Sequence, residues 1–195
     1  MSKEYWLLNT VKTIGLGLIL GVSLTACGAG SIKWKEEVQL SDGKIIVVER
    51  NAIYVAGGGE WASNSSGSKI DEYRIRFEYP AGLSRMVEWH SVKKSPRTYP
   101  EVPLVLNISD SQPIIFSLVA ISNGCEVYSK YVYKNGAWVE ESLPEQFEQH
   151  ATNLLFGSQK DLPKLLKLEE KNKRNGDSRF RVALKQAGPN LKVCG

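Results

Sequence analysis

The sequence is poor in the side chains on which enzyme chemistry most often depends. It holds two histidines, His90 and His150, among 195 residues, and it contains no G-x-S-x-G, H-E-x-x-H or C-x-x-C motif. A Ser/His/Asp triad would have to use one of these histidines, and no motif supports either of them. The 21 acidic residues leave a glycosidase-like carboxylate pair open. The sequence therefore favours a non-enzymatic function and predicts no catalytic residue and no cofactor.

Candidate metal ligands are scarce as well. Glu88 and His90 come closest to a metal-binding or proton-transfer pair, because alternation places both on one face of a predicted strand. A zinc site needs more ligands, and His150 falls in a predicted helix, where no spacing marks it as the third. We interpret His90 as a surface histidine beside a carboxylate and predict no metal site.

A strong charge of either sign is also missing. The chain has a formal net charge of +4, and its first 26 residues contribute +1, from Lys3 and Lys12 against Glu4, so residues 27–195 carry +3. Dedicated nucleic-acid binders concentrate far more basic residues on one surface. The balance therefore predicts no nucleic-acid partner.

Long apolar runs are missing with one exception near the start. The run over residues 14–29 holds 16 residues, fewer than the roughly 20 that a helix needs to cross a bilayer. Lys3 and Lys12 precede it, which gives the order of a basic region and then an apolar core that is typical of a secretory signal. This pattern predicts a segment that is removed rather than retained.

The apolar run contains Leu24-Thr25-Ala26-Cys27, which resembles the lipobox of bacterial lipoproteins. Ordinary signal cleavage after Ala26 suits the sequence poorly, because bulky Leu24 occupies a position that favours small residues. The resemblance implies cleavage before Cys27 and lipidation of Cys27 by a diacylglyceryl thioether and an amide-linked acyl chain such as palmitate. Two or more chains hold a protein stably on a membrane. The resemblance thus implies a membrane partner reached through the lipid on Cys27.

The same resemblance implies a place in the cell envelope. In enteric lipoproteins an Asp after the lipidated cysteine favours retention in the inner membrane, and Gly28 stands there in this chain. We therefore expect the outer membrane, facing the periplasm. Ordinary cleavage near Gly28 or Ala29, which would release a soluble periplasmic protein, and an uncleaved anchor are the alternatives.

The chain divides into three parts on this basis. We predict a signal peptide over residues 1–26, a lipidated tether over 27–32 and a single domain over 33–195. The mature chain is long enough to bury a core of its own.

The two remaining cysteines become informative once the compartment is predicted. With Cys27 lipidated, Cys125 and Cys194 stand in an oxidising space, where a pair more often forms a disulfide than two free thiols. We predict a Cys125–Cys194 disulfide, which would stabilise the fold by about 4 kcal/mol on the chain-entropy account. Two buried, unpaired thiols are the alternative.

Alternating and continuous apolar patterns predict a mainly antiparallel β structure. The predicted strands are 33–40, 45–55, 70–79, 85–92, 104–108, 114–121, 125–133, 137–140 and 178–185. The first two are joined by Asp42-Gly43, a strong hairpin signal. This hairpin, with Trp34, Glu36, Val38 and Leu40 before the turn, resembles one that recurs near the start of many proteobacterial lipoproteins. That resemblance implies no catalytic residues.

Two helices are predicted in the second half of the chain. The first covers 144–156, with Pro144 at its start, and the second covers 160–174, with leucines along one side. Lys164, Lys167, Lys171, Lys173 and Arg174 make the rest of the second helix basic. We interpret them as a solvated face, with attraction to anionic lipid head groups as the alternative.

The predicted fold class is therefore α+β. We expect a mainly antiparallel β-sheet of about seven or more strands, with the two helices of the C-terminal half packed on one face. A β-sandwich with appended helices is the competing interpretation.

Three residues are candidates for contact with a partner. Trp61 lies in a Gly/Ser-rich loop and could be an exposed aromatic contact. Arg74 and Arg76 share the outer face of a predicted strand and could grip an anion, with solvated cross-strand charges as the alternative.

The sequence as a whole predicts a membrane-anchored lipoprotein that serves as a binding or envelope-structural module with an unidentified protein partner. A periplasmic immunity or inhibitor protein that neutralises a toxin or hydrolase is the alternative. An envelope hydrolase is the third and least favoured class.

Overall fold

A computed structural model describes residues 30–56, 67–82, 85–95, 99–120, 125–143, 152–156, 158–176 and 192–194. Within these ranges the chain forms two five-stranded sheets and one short helix. The elements in chain order are β1 Gly30–Gln39, β2 Ile45–Ala56, β3 Ser68–Glu78, β4 Met86–His90, β5 Val102–Ser109, β6 Gln112–Ala120, β7 Cys125–Lys134, β8 Ala137–Glu141, β9 Leu165–Leu166, α1 Leu168–Arg174 and β10 Lys192–Cys194. The prediction of a mainly antiparallel β structure is confirmed.

The first sheet has the strand order β4-β3-β2-β1-β9. Its first four strands form an antiparallel meander, and β9 adds two residues in parallel to the edge of β1. The β1–β2 turn is the predicted one: Gly43 has φ +85°, a conformation that glycine adopts without strain, and the Lys44 amide donates to Asp42 Oδ1 at 3.0 Å.

The second sheet has the order β10-β7-β6-β5, and β8 pairs with β7 as well. The β7–β8 turn is the predicted Asn135-Gly136, and both residues have positive φ, as a two-residue type I′ hairpin requires. All described strand pairs of this sheet are antiparallel.

The inner faces of the two sheets share one hydrophobic core. Trp34, Val48, Ile75 and Trp89 of the first sheet belong to the same buried cluster as residues of the second sheet, among them Leu106, Ile115 and Tyr131. The rings of Trp89 and Tyr131 lie 5.8 Å apart between centroids. This two-sheet arrangement corresponds to the competing β-sandwich interpretation rather than to a single sheet covered by helices.

The helical content differs from the prediction. Only residues 168–174 of the second predicted helix are helical, and Leu165–Leu166 joins β1 as a strand instead. Pairing at the sheet edge buries Leu166 completely, so tertiary contacts override the helical leucine spacing. The first predicted helix falls mostly outside the described residues, and its described part, 152–156, is irregular.

The predicted segment boundaries can also be compared with the structure. β1 already begins at Gly30, so residues 30–32, which were assigned to the tether, belong to the sheet. The predicted signal peptide over 1–26, Cys27 and the predicted strand 178–185 lie outside the described residues. In the part of the chain that the structure describes, no helix is long and apolar enough to cross a membrane.

Candidate functional site

A groove of about 650 Å³ opens on the outer face of the first sheet. We call it the basic groove and define it by five cations, Lys33, Lys35, Arg74, Arg76 and Lys164, and two carboxylates, Glu49 and Glu88. The cations exceed the carboxylates by three positive charges. Two arginines that the sequence proposed as partner contacts therefore lie together in a cationic concavity.

Strand alternation explains why these charges face outward. In β3 the buried Tyr73, Ile75 and Phe77 alternate with Arg74 and Arg76, so the arginines point away from the core. Trp34 and Arg50 also border the groove, but by the same alternation their side chains point to the core.

Strand register assembles the outward side chains into two rows across the sheet. His90, Arg74, Asn51 and Lys33 stand opposite one another in the first row, from β4 to β1. Glu88, Arg76, Glu49 and Lys35 form the second row in the same way. The first row presents donors and cations, and the second alternates in sign.

The charged side chains of the groove form only weak ion pairs with one another. Glu49 lies 3.2 Å from Lys35 Nζ and 4.0 Å from Arg76 Nη1, and the side chains are 43% to 56% exposed. Exposed pairs of this kind contribute about 0–1 kcal/mol each. Arg74 is held more closely, by Glu72 and, at 3.5 Å, by Glu88.

Two cations of the groove, both at the β1–β9 edge of the sheet, are not part of these ion pairs. Lys33 and Lys164 make no salt bridge within the described residues, and both are exposed. Together with the weakly paired Arg76, they are the groove charges most open to an external anion.

A second ion pair lies on the inner side of the same sheet. Arg50 Nη1 donates to Glu36 Oε1 at 2.6 Å, and both side chains are fully buried. Glu36 also accepts from the Leu155 amide at 3.1 Å and from Trp34 Nε1 at 3.2 Å. The Arg50 guanidinium stacks 5.2 Å from the Trp34 ring centroid, a cation–π distance. This pair fastens the irregular 152–156 segment to β1.

Lys171 is buried rather than solvated, which corrects the interpretation of the second helix as a wholly exposed basic face. Its Nζ donates to the Asn153 carbonyl at 2.6 Å and to the Glu37 carbonyl. Burial lowers the pKa of Lys171 to about 8, against a smaller opposing effect of Glu36. Lys171 also lines a cavity of about 220 Å³. Its two carbonyl contacts have a structural use, because they join α1 and the 152–156 segment to β1.

Glu101 is a further buried carboxylate that sequence reasoning did not single out. It accepts from the Val92 amide at 2.8 Å, from Ser117 Oγ at 2.6 Å and from the Tyr131 hydroxyl at 3.0 Å. Burial and the neighbouring Glu101 raise the pKa of Tyr131. Glu101 stands between Pro100 and β5, where no periodic pattern reveals that it is buried.

The other candidate residues have different outcomes. Glu88 and His90 share the outer face of β4 as predicted, but the Glu88 carboxylate faces Arg74 at 3.5 Å. Among the described residues, no three His, Cys, Asp or Glu side chains form a group that could hold a metal ion. Trp61 lies outside the described residues.

The backbone of Cys125 and Cys194 is part of the second sheet. Cys194 of β10 is the antiparallel partner of Cys125 in β7. Directly opposite residues in such a ladder have Cα atoms about 4.5–5.5 Å apart, a spacing that a disulfide can bridge. The Cys125–Cys194 disulfide stays a prediction, now with a compatible strand register.

Comparisons of this chain with protein-family models, with characterised proteins and with solved structures give no match. The function is therefore argued from the groove itself and from the predicted anchor.

Proposed function

We propose that this chain is a lipid-anchored protein of the bacterial envelope that works as a binding module, with the basic groove as its ligand site. The observation that carries the proposal is the excess of cations in the groove: five cationic side chains from two strands, β1 and β3, and from the segment before β9 converge on one concavity. Such a surface suits an anionic ligand, because carboxylates and phosphates bind best where several cations converge.

The buried carboxylates are occupied in holding the fold. Glu36 is shared among Arg50, Trp34 and the Leu155 amide, and Glu101 is shared among two backbone amides, Ser117 and Tyr131. Removing a partner from a buried charge is costly, so these groups have a structural use that needs no substrate. Their arrangement supports binding over catalysis as the function.

The anchor is the second part of the proposal. Lipidation of Cys27 would place the protein on a membrane, with the outer membrane facing the periplasm as the expected location. β1 begins three residues after Cys27, and a chain spans at most about 3.6 Å per residue. The first residue of β1 would therefore stay within about 11 Å of the lipidated residue.

The anchor is tested by metabolic labelling with palmitate in cells that express the full chain. We expect label in the wild type and none in Cys27→Ser. Equal labelling of both, or of neither, would contradict lipidation at Cys27.

The ligand site is tested by isolating the anchored protein from envelopes and identifying what co-purifies. The groove variant combines Lys33→Gln, Arg76→Gln and Lys164→Gln. The control variant removes the same charge from exposed positions outside the groove, with Arg85→Gln, Lys160→Gln and Lys173→Gln. We expect an anionic component that the control retains and the groove variant loses. Identical components in both preparations would contradict the groove as the ligand site.

The same experiment separates the class of binding protein. If the groove-dependent component is a toxin or a hydrolase whose activity falls on binding, the module is an immunity or inhibitor protein.

A further inference from the structure

We propose that the ligand of the basic groove is the layer of anionic phospholipid head groups in the membrane that carries the anchor. This inference rests on the proposed function and names the ligand of the same site. It makes the outer face of the first sheet a second membrane contact beside the acyl chains.

The first observation is how short the path from anchor to groove is. Lys33 follows Cys27 by six residues, so their Cα atoms can be separated by at most about 22 Å. Lys33 lies near the N-terminal end of β1, the end of the sheet closest to the anchor along the chain. A Lys side chain there can reach a membrane surface that a distant patch could not reach.

The second observation is the spacing of the free charges. Lys33 and Lys164 lie at the β1–β9 edge of the sheet, and Glu49 of β2 with its partner Lys35 stands between that edge and Arg76 of β3. A continuous acidic segment laid in the groove would bring some of its charges against Glu49 or Glu88. Separate phosphates on lipids that diffuse laterally can instead settle beside each cation and avoid the carboxylates. The pattern therefore favours a lipid surface over an acidic peptide.

The third observation is the exposed apolar surface on the same sheet face as the cations, in the row where Val47 stands opposite Glu37 and Met86 opposite Glu78. Ile45, Val47 and Met86 are 54%, 48% and 40% exposed. Val47 is two residues before Glu49 in β2, and Met86 is two residues before Glu88 in β4, so alternation puts both on the groove face. A face that combines basic and apolar side chains is typical of proteins that lie on the membrane interface.

Charges near an anionic leaflet act additively and are screened by salt. Each Lys or Arg near such a surface strengthens the attraction about fivefold. The effect extends about 10 Å at 0.1 M salt and about 3 Å at 1 M salt. Neutralising Lys33, Arg76 and Lys164 together should therefore weaken the head-group contact about a hundredfold.

The test measures the reactivity of individual lysines in the full chain after isolation from membranes. The protein is reconstituted into vesicles of phosphatidylcholine, with or without phosphatidylglycerol, and an amine-acetylating reagent is followed by mass spectrometry. We expect Lys33 and Lys164 to react about fivefold more slowly in the anionic vesicles at 0.1 M salt, and equally fast in both at 1 M salt. Lys160 and Lys173, which lie outside the groove, should react at the same rate in both.

A matched pair of arginine variants tests whether the groove acts as a unit. Arg76→Gln should speed the acetylation of Lys33 and Lys164 in anionic vesicles, and Arg85→Gln should leave both rates unchanged. Equal rates in neutral and anionic vesicles would overturn the inference. Protection by soluble polyglutamate in neutral vesicles, without protection by phosphatidylglycerol, would overturn it in favour of an acidic protein while a groove ligand remained. Palmitate labelling reports on the anchor separately, so the two failures are distinguishable.

Discussion

The two sides of the first sheet hold the same kind of ion pair in opposite settings. On the outer side Lys35 and Glu49 lie 3.2 Å apart, with 56% and 43% of their side chains exposed. On the inner side Glu36 and Arg50, their neighbours in sequence, lie 2.6 Å apart and are fully buried. In the outer pair water competes for each charge. In the inner pair each charge depends strongly on its partner, because water is excluded and only the Leu155 amide and the Trp34 side chain add further contacts.

The difference in exposure determines which charges are available for a ligand. A side chain that fastens the fold cannot change partner without a large loss of stability, whereas an exposed cation can exchange a neighbouring carboxylate for an external anion. Proximity in sequence gives no guide to this distinction. In β1 and in β2, an exposed charge that can change partner stands directly beside a buried charge that holds the fold.

The largest expected effect comes from breaking the inner pair. Glu36→Gln leaves the Arg50 charge buried without its counterion, and we expect the free energy of unfolding to fall by about 3–5 kcal/mol. Glu49→Gln, the matched change on the outer side, should cost less than about 1 kcal/mol. Denaturant unfolding followed by tryptophan fluorescence measures both. Similar losses in the two variants would remove the contrast between the sides.

A double replacement tests whether the unpaired buried charge causes the loss of stability in Glu36→Gln. Glu36→Leu with Arg50→Met removes both charges at once, so neither is left unpaired. We expect it to recover part of the stability lost in Glu36→Gln, since the Leu155 amide and Trp34 Nε1 still lose their acceptor. A double variant as unstable as the single one would show that packing, rather than charge pairing, explains the loss.

The second prediction concerns the predicted Cys125–Cys194 disulfide in the second sheet. If Cys125 and Cys194, opposite each other in β7 and β10, form the predicted disulfide, Cys125→Ser with Cys194→Ser should lower the free energy of unfolding by about 4 kcal/mol. Thiol titration of the unfolded, non-reduced protein measures the bond directly. Free thiols at both positions would contradict it.

The third prediction uses pH to probe the inner side. Lys171 has a pKa of about 8 when folded, against an ordinary value of 10.5. Between these values only the unfolded chain keeps the proton, so the stability contributed through Lys171 should rise with pH. The rise should approach about 1.4 kcal/mol per pH unit between pH 8 and pH 10.

The measurement is the difference in unfolding free energy between the wild type and Lys171→Met across that range. Glu36, Glu37 and Arg50 are the charged groups that act on Lys171, and they are the same in both proteins. A difference that is constant with pH would show that the lysine is not desolvated in the folded state.

The smallest effect is expected on the outer side. Lys35→Gln removes one partner of an exposed pair, and we expect a change in unfolding free energy below about 1 kcal/mol. Thermal unfolding at low and at high salt is the measurement, because salt should abolish what small difference exists. A loss of several kcal/mol would place the outer face among the structural charges.

Alternation in the sequence predicted which side each residue faces, and this part of the fold is confirmed. Arg74 and Arg76 were placed outside because Tyr73, Ile75 and Phe77 occupy the other phase of β3. In β1, Glu36 has the same phase as the buried Trp34 and Val38, so the same alternation puts it on the apolar side. A carboxylate on a buried face needs a partner, and that was the available signal for the inner pair. Its partner, Arg50, could not be identified without the register that brings it beside Trp34.

The groove and the helices show where local patterns fail. The groove depends on pairing among four strands and on Lys164, which is far away in sequence, and no local pattern encodes such long-range register. The leucine spacing at 160–174 fitted a helix, but Leu165 and Leu166 pair with β1, where the sheet edge offers backbone partners that a helix would not use. Lys171 was taken as solvated because basic residues surround it in sequence.

The parallel pairing of β9 with β1 covers part of a sheet edge through which crowded copies of the protein could associate. Copies that are held on one membrane diffuse in two dimensions. Their edge strands therefore encounter one another more often than they would in solution. Unpaired strand borders template intermolecular association, and charged lysines or a covering segment prevent it. Leu165–Leu166 occupies part of that border, and Lys33 and Lys35 add like charges along it. If the proposed anchor on Cys27 holds many copies at one membrane, the short β9 strand would protect them from self-association at that surface.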